Sequence, residues 1–252
     1  MKFIHVSDLH LGAFSSFEKI HAIMIKNFTN MMDFAIKENV DFIIISGDIF
    51  DSPYSMFNDL KNVVKKFREF IEKDKKIYTI PGSHDRKYSE RTIYDILVAS
   101  GIFTDVSRYE NGRLIPTHDE RTGFNLYGVG GLENSMDIEI IKKIEKVNDN
   151  NSIFLFHAAI EGILPNVKSL KIWELPDGFS YYAGGHVHKR QILEKNGRLV
   201  VYPGIFFAST QDEIFNIQER GFALVEDFKI RFIDSELKVS KLNINVENKS
   251  ME

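Results

Sequence analysis

Five of the eight histidines in this 252-residue chain lie just after a predicted strand, beside a glycine or an acidic residue. They are His10, His84, His157, His186 and His188. Three aspartates occupy the same kind of position, and they are Asp8, Asp48 and Asp85. Because open α/β sheets bind ligands at the carboxyl ends of their strands, we expect these side chains to share one site.

The spacing of these residues is typical of a metal site. Asp8 with His10, and His186 with His188, are each two positions apart, and side chains at that spacing on an extended chain project to the same side. Carboxylate and imidazole ligands together suit manganese, iron or zinc. Two such ions roughly 3.5–4 Å apart can clamp a phosphate and generate hydroxide near neutral pH. The pattern therefore predicts hydrolysis of a phosphoester.

A structural role is the ordinary explanation for any one of these residues, since a lone histidine near a strand end is more often a core or surface residue. Five clusters in order, each at a strand end, are not explained in that way. The remaining histidines are given the ordinary explanation: His5 as a core residue inside the first strand, and His21 and His118 as surface or structural residues. Trp173 is predicted to fill the core, with packing over the site from a loop as the alternative.

Composition limits the class of protein. The absence of cysteine excludes disulfides, thiolate metal sites and a cysteine nucleophile. A net charge of −4, from 32 basic and 36 acidic residues, disfavours nucleic-acid binding by bulk positive charge, although bound cations would add positive charge at the site itself. The chain opens with a short apolar strand rather than a signal peptide, and its apolar runs are too short to span a membrane. We therefore expect a cytoplasmic protein.

Apolar periodicity predicts an α/β first half and a mostly β second half. The strands of the first half are predicted at Lys2–Ser7, Phe42–Ser46, Lys76–Ile80, Phe124–Val129 and Ile153–Phe156. Its helices are predicted over 17–35 with a Ser15–Glu18 capping box, from an N-cap at Ser52 to Ile71, over Ser89–Ala99 and over Ser135–Val147. Shorter strands follow at Tyr181–Ala183, Gln191–Leu193, Leu199–Tyr202, Gly221–Val225 and Ile230–Ile233.

The clusters together resemble a known family. Asp8-x-His10, Gly47-Asp48, Gly82-x-His84-Asp85, His157 and Gly185-His186-x-His188 follow the order of the calcineurin-like metallophosphoesterase superfamily. The opening KFIHVSDLHLG, the segment GGHVHKR before VVYPG, and the stretch from Glu213 to Glu226 are similar to SbcD-type DNA repair exonucleases, the meiotic recombination eleven family. The resemblance implies a four-layer αββα sandwich with mixed sheets over residues 1–205. Closing strands or a reduced cap are expected over 206–237, and a polar tail over 238–252.

The resemblance also implies a role for each matching residue. It assigns a first metal to Asp8, His10 and His188, a second to His157 and His186, and a bridging position to Asp48. It places His84 beside the substrate phosphate, to stabilise charge or protonate the leaving oxygen, with Asp85 orienting it. The family usually has an asparagine ligand where this chain has Ser83, so a weaker second site is expected. Manganese is the favoured metal, with iron or zinc as alternatives.

The function that this resemblance implies is a metal-dependent phosphodiesterase. We expect a DNA exonuclease or endonuclease acting in DNA repair, in which hydroxide activated by two metals attacks phosphorus. Lys189 and Arg190 are candidates to bind the substrate phosphate, with an ordinary exposed pair as the alternative. The alternatives for the whole chain are a phosphodiesterase or phosphomonoesterase acting on a small molecule, and a non-catalytic DNA-binding or assembly module with the same fold.

The expected partners are DNA as substrate, an SbcC-type ATPase and a second copy of the chain in a homodimer. Only about fifty residues follow Pro203-Gly204, which leaves room for a reduced cap over the DNA but not for a full one. The same shortness argues against the ATPase partner.

Overall fold

Two six-stranded mixed sheets lie face to face in the centre of the protein. The computed structural model describes residues 1–54, 57–86, 92–110, 112–132, 135–147, 149 and 151–237. The first sheet has the order β14 (Lys229–Asp234), β13 (Gly221–Glu226), β1 (Lys2–Val6), β2 (Phe42–Ser46), β3 (Lys76–Ile80) and β4 (Thr104–Asp105). The second has the order β11 (Gln191–Lys195), β12 (Arg198–Tyr202), β10 (Tyr181–Gly185), β9 (Ser152–His157), β8 (Phe124–Val129) and β7 (Thr117–Asp119). A small hairpin of β5 (Tyr109–Glu110) and β6 (Arg113–Leu114) lies apart from both.

The central strands of each sheet run parallel. In the first sheet β1, β2, β3 and β4 are parallel neighbours, while β13 pairs antiparallel with β1 and with β14. In the second sheet β8, β9, β10 and β12 are parallel, with β7 and β11 antiparallel at the edges. Parallel neighbours bring their carboxyl ends to one edge of the sheet, so the loops that follow β1, β2, β9 and β10 can meet there.

Alternation of apolar side chains along the strands creates the layers. Ile4 and Ile43 point to the helices that cover the first sheet, while Phe3 and Phe42 point to the second sheet and pack there against residues such as Tyr181. Strands that are buried on both faces read as continuous apolar runs, which is why FIIIS at 42–46 has no polar face. The predicted αββα fold is confirmed.

The helices form the two outer layers. The first sheet is covered by α1 (Glu18–Lys37), α2 (Leu60–Ile71) and α3 (Ile93–Ala99). The second sheet is covered by α4 (Met136–Ile141) and by a 3-10 helix at Ile172–Glu174. A short helix, α5 (Gln211–Asn216), joins the helical layer of the first sheet through Ile214. Within the described residues, no helix combines the length and the apolar character needed to cross a bilayer.

Strand positions agree with the sequence predictions, but two helix starts do not. The Ser15–Glu18 capping box is wrong, because the chain makes tight turns through Phe14, at φ +57°, and α1 has Phe17 as its N-cap without a side-chain bond. The helix predicted from Ser52 begins instead at Leu60. The segment before it is tied into a loop, in which the Asp51 N–H donates to the Leu11 carbonyl.

Two further helices are shorter than predicted. Helix α4 ends at Ile141 instead of Val147, because the Val147 N–H donates to the Asp177 carbonyl instead of continuing a helix. Helix α3 begins after Thr92, which forms a capping box with Asp95. Residues 89–91 of the predicted third helix and the predicted tail at 238–252 lie outside the described residues.

His5 is the one polar side chain of β1 among the described residues that lies wholly between the sheets, and it is fully buried. Its ring nitrogens lie 3.0 Å from the Tyr181 hydroxyl and 3.1 Å from Ser46 Oγ, and Ser46 donates in turn to the Ala183 carbonyl. Because the Ser46 proton is used on Ala183, Ser46 accepts from His5 Nε2–H and Tyr181 donates to Nδ1. The neutral ring is therefore fully bonded, and burial lowers the pKa of His5 to about 3.

We predict that His5 makes the protein less stable as pH falls from about 6.5 toward 3. In the unfolded chain His5 has its ordinary pKa, so between pH 6.5 and 3 it is protonated there but neutral in the folded state. Each pH unit of acidification in this range therefore lowers the free energy of unfolding by up to about 1.4 kcal/mol. Urea titrations at several pH values, on the natural protein and on His5→Gln, measure this contribution. The slope of unfolding free energy against pH should be shallower in His5→Gln, and identical slopes would contradict the assignment.

Candidate metal centre

The predicted ligands meet at the carboxyl ends of the parallel strands. Asp8 follows β1 and Asp48 follows β2 in the first sheet, while His157 ends β9 and His186 follows β10 in the second. The two sheets face each other, so these four loops converge at one edge of the sandwich. Gly185 permits the approach, since a Cβ there would lie 1.9 Å from the Ser46 carbonyl oxygen and 2.8 Å from His157 Nδ1.

Four residues of the ligand loops have a left-handed backbone conformation that non-glycine residues seldom adopt. Asp8, His10, Asp48 and His186 have φ values of +51°, +43°, +50° and +79°. A left-handed non-glycine residue costs on the order of 1 kcal/mol and persists where neighbouring contacts hold it. Backbone bonds do this here: the Asp8 N–H donates to the Gly47 carbonyl, and the His10 N–H donates to the Asp48 carbonyl. The strain directs the ligand side chains inward.

In the part of the chain that the structure describes, three overlapping groups of side chains could each hold a cation, their ligand atoms lying within 4.8 Å of one another. The groups are Asp8 with His10 and His188, Asp8 with Asp48 and His157, and His10 with Asp51 and His84. Asp48 lies between two of the rings, with Oδ2 3.1 Å from His157 Nε2 and 4.0 Å from His10 Nε2. Shared members place the groups side by side, which suits two neighbouring ions.

Orphaned nitrogen atoms at the centre fit a metal. Among the described residues, neither of the buried ring nitrogens of His10 has a hydrogen-bond partner, and the same holds for His157 Nε2, which lies close to Asp48 but outside hydrogen-bond geometry. A buried polar group without a partner costs roughly 1–3 kcal/mol. A divalent cation bound by these nitrogens and by the Asp8 and Asp48 carboxylates would remove that cost, and the mixed donor set suits manganese, iron or zinc.

Electrostatics prepare the centre for a cation. Burial lowers the pKa of His10 to about 3 and that of His186 to about 4, which keeps both rings neutral and able to act as ligands. Burial also lowers the pKa of His157, but the charge of Asp48 outweighs it and raises the pKa to about 10. The pKa of Asp48 is held low by His157 in spite of burial. In the protein alone, a proton on His157 therefore supplies the positive charge beside Asp48.

His186 contributes to the centre through its backbone as well as its ring. Its N–H lies 3.2 Å from each carboxylate oxygen of Asp8. Its ring lies against that of His157, with the centroids 5.3 Å apart. His188, two positions later, brings Nε2 to 3.6 Å from Asp8 Oδ1. Both residues thus contact the Asp8 carboxylate, His186 through its backbone N–H and His188 through its ring.

His84 lies on the exposed rim of the centre. Its backbone N–H donates to Asp48 Oδ1 at 2.8 Å, and its ring packs edge-on against His10 at 4.8 Å. Its Nδ1–H donates to the Asp51 carbonyl oxygen at 2.8 Å. The orienting contact of the ring therefore comes from Asp51, not from Asp85 as the resemblance implied. This bond leaves Nε2 as the ring nitrogen that can face a substrate.

Asp85 instead fixes the loops that carry the ligands. Its buried carboxylate accepts the N–H groups of Ile49, Phe50 and Gly82 at 2.8–3.1 Å. Burial and the nearby charge of Asp48 raise the pKa of Asp85 to about 7, against the lowering effect of these bonds. Asp85 joins the loop after β2 to the loop after β3, and so holds the loop that carries Asp48 in place.

Three further predicted residues lie at the periphery. The Ser83 side chain is exposed on the loop between Gly82 and His84. Lys189 is also exposed, and it lines a surface groove. Arg190 is a correction, because its side chain is only 10% exposed and its guanidinium pairs with Asp234 at 2.7 Å. It also donates to the Arg220 carbonyl at 2.8 Å and covers the Phe232 ring, so it braces β13 and β14 instead of extending into solvent.

Glu213 is a functional residue that sequence reasoning missed. It accepts a hydrogen bond from His188 Nδ1, which directs Nε2 toward Asp8. Its other oxygen accepts from the N–H and hydroxyl of Ser209, both at 2.8 Å, and from the Thr210 N–H at 3.2 Å. The signal in the sequence was the T-x-x-E capping box at 210–213, which predicts the helix start but not the histidine contact.

We predict that Glu213→Gln weakens metal binding by roughly 10- to 100-fold. Burial lowers the pKa of His188, but the bond to Glu213 and the charges of Asp8 and Glu213 outweigh it and make the ring more basic. Glutamine still serves the capping box, so the fold is kept while the charge behind His188 is lost. Calorimetric titration with manganese measures the effect, with the exposed neighbour Asp212→Asn as control. Equal affinities for Glu213→Gln and the natural protein would exclude the role.

Comparison with known proteins agrees with this geometry. Residues 1–190 match the family model described as calcineurin-like phosphoesterase. The chain is 25% identical to the DNA double-strand break repair protein Mre11 of Archaeoglobus fulgidus, with 100% of this chain and 63% of that protein aligned. It is 28% identical to the protein of the same name from Saccharolobus solfataricus, with 88% of this chain and 58% of that protein aligned. The chain thus spans about three fifths of the length of these relatives.

A solved structure shares the fold. The protein TT1561 of Thermus thermophilus aligns with a TM-score of 0.53 and 13% identity, covering 93% of this chain and 99% of that one. At this identity the likeness concerns the architecture alone. The family model, however, matches well over half of the chain and ends two residues after His188, so it includes every aspartate and histidine of the centre. The chain belongs to the calcineurin-like phosphoesterase family.

Proposed function

We propose that the chain is a metal-dependent phosphodiesterase that cleaves DNA. The observation that carries the proposal is the pair of ligand groups that share Asp8, one with His10 and His188 and the other with Asp48 and His157. Family membership supports phosphoester hydrolysis, and similarity to two proteins named for DNA double-strand break repair supports DNA as the substrate. Two cations bound there would supply an activated water and positive charge for the phosphate.

The protein's own groups arrange the reaction. The first metal would be held by Asp8, His10 and His188, which the structure brings together. The resemblance assigns the second metal to His157 and His186 with Asp48 as the shared ligand, and of these three the structure groups Asp48 with His157. Backbone bonds between the ligand loops, and the bond from the His84 N–H to the Asp48 carboxylate, hold these loops together before any ion binds. Such preorganisation accounts for a large part of catalytic power in electrostatic sites.

His84 is the proton donor to the leaving oxygen in the proposed reaction. Because its Nδ1–H is committed to the Asp51 carbonyl, Nε2 can donate only when the ring is an imidazolium. In that form Nε2–H can stabilise the charged phosphate and protonate the leaving oxygen. Its exposure on the rim suits contact with a large substrate.

We predict that His84→Ala lowers the rate of DNA cleavage by roughly 10²- to 10⁴-fold, because it removes a proton donor. Manganese affinity at the two assigned sites should change little, since His84 is not among their ligands. The assay uses labelled single- and double-stranded DNA with manganese, in parallel with bis-p-nitrophenyl phosphate and a phosphomonoester. His118→Ala is the matched control, an exposed histidine on β7 outside the ligand groups.

The same assay separates the alternatives. Cleavage of DNA that is lost in His84→Ala supports the proposal. Activity on small esters alone would replace it with a small-molecule phosphoesterase. Absence of turnover on all substrates, with metal bound, would favour a non-catalytic DNA-binding or assembly module.

We predict that Ser83→Asn tightens manganese binding at the second site, by about tenfold or about 1.4 kcal/mol. Asparagine has the longer reach and supplies an amide oxygen, which is a better ligand than a serine hydroxyl. Ser83 is exposed, so the larger side chain does not disturb the core. A two-site calorimetric titration resolves the second affinity. Affinities that match the natural protein would remove this explanation of Ser83.

The SbcC-type ATPase partner and the homodimer stay predictions of the resemblance. The full-length relatives extend beyond the part that aligns with this chain, and their whole activity transfers here only as a proposal. Analytical ultracentrifugation of the purified chain would test the dimer directly.

A further inference from the structure

A groove of about 480 Å³ lies beside the metal centre. One wall is the segment Ile160–Ile163, which begins three residues after His157, and another contains Lys189, the residue after His188. The third wall is the 3-10 helix with Trp173 and the preceding Lys171. Two of the walls thus continue directly from metal-centre residues, so a substrate strand bound at the centre can run into the groove.

Trp173 presents its ring to solvent. It is 68% exposed, which corrects the expectation that it fills the core. Its backbone is nevertheless fixed: Ile172 packs on the core of the second sheet, the Trp173 carbonyl accepts from Lys195 Nζ at 3.4 Å, and the Lys171 N–H donates to Glu174 at 2.8 Å. A large aromatic side chain held on a fixed backbone loses little conformational entropy when it contacts a partner.

The charges around the ring favour an anionic partner. Lys171 Nζ lies 5.3 Å from the centre of the Trp173 ring, and Lys189 is exposed on the opposite wall. Of the acidic groups nearby, Glu174 is paired with Lys142 at 3.5 Å, and Glu161 is exposed on the rim. Aromatic rings flanked by lysines are the usual platform for single-stranded nucleic acid, in which bases stack and phosphates pair with the cations.

We propose that this groove binds an unpaired DNA strand, with one base stacked on Trp173 and the flanking phosphates on Lys171 and Lys189. The inference rests on the proposed function and names a subsite of it. An unpaired strand is favoured over a duplex because bases in a duplex already stack on one another, so their faces are closed to an indole ring. The groove therefore selects ends, gaps or other places where the strand has separated.

Intrinsic fluorescence tests the proposal directly, because Trp173 is the only tryptophan of the chain. Oligothymidylate is titrated into the full chain in the presence of a chelator, so that no cleavage occurs. Stacking of thymine on the indole should quench the emission in a saturable manner. Binding of a dye-labelled oligothymidylate, seen by anisotropy, without any change in tryptophan emission would overturn the proposal.

Variants give the second measurement. Anisotropy of the labelled oligothymidylate should show about 5- to 100-fold weaker binding for Trp173→Ala, with most of the affinity restored in Trp173→Phe. The matched control is Ile96→Ala, a 62% exposed apolar residue on α3. Circular dichroism checks that each variant is folded. We expect all of them to fold, because the side chains that are removed are exposed. Equal affinity in Trp173→Ala and the natural protein would overturn the subsite.

The lysines are tested through salt dependence. If Lys171 and Lys189 each neutralise one phosphate, each Lys→Ala variant should lower the slope of log affinity against log salt by roughly 0.7. Lys65→Ala, at a 74% exposed lysine on α2, should leave the slope unchanged. Unchanged slopes in both groove variants would remove the phosphate contacts.

The two proposals fail in distinguishable ways. Rapid cleavage of single-stranded DNA with unchanged affinity in Trp173→Ala would end the subsite and leave the nuclease intact. Quenching and weaker binding in Trp173→Ala, without cleavage by the natural protein plus manganese, would keep the subsite and end the nuclease.

Discussion

Burial of two carboxylates at the junction of the sheets is the constraint on which the centre depends. Asp8 is fully buried and Asp48 is 2% exposed, and ions placed away from water cost several kcal/mol each unless opposite charge and hydrogen bonds surround them. Backbone N–H groups of His84 and His186 and the ring of His157 supply part of that compensation. Bound divalent cations would supply the rest, and by displacing the proton from His157 their binding would release protons.

The convergence of the aspartates and histidines of the centre could be predicted from the sequence, because each follows a strand and the strands are strongly apolar. The continuous apolar runs FIIIS and SIFLFH place Asp48 and His157 at strand ends with little ambiguity. Parallel pairing then brings the ends together, without any further information from the loops. For the same reason the αββα architecture could be expected once the order of clusters had been recognised.

Contacts between distant segments could not be predicted in this way. The Glu213 carboxylate reaches His188 only because α5 folds back beside the centre, and Arg190 is withdrawn from solvent only because β14 pairs with β13. Likewise, Ser52 and Pro53 are typical of a helix start, but the helix begins only at Leu60. The segment before it forms a loop instead, in which the Asp51 carbonyl accepts the hydrogen bond from His84. Local propensity is weak beside such tertiary bonds.

The pairing of β1 with β13 has a consequence for biosynthesis. The strand that leads to Asp8 leaves the ribosome long before its antiparallel neighbour, which begins only at Gly221. Contacts of such long sequence separation slow folding. Until β13 has been translated, one edge of β1 has unpaired peptide groups that can join a strand of another nascent chain. The earliest residues of the centre to be synthesised are therefore among the last to be held in place.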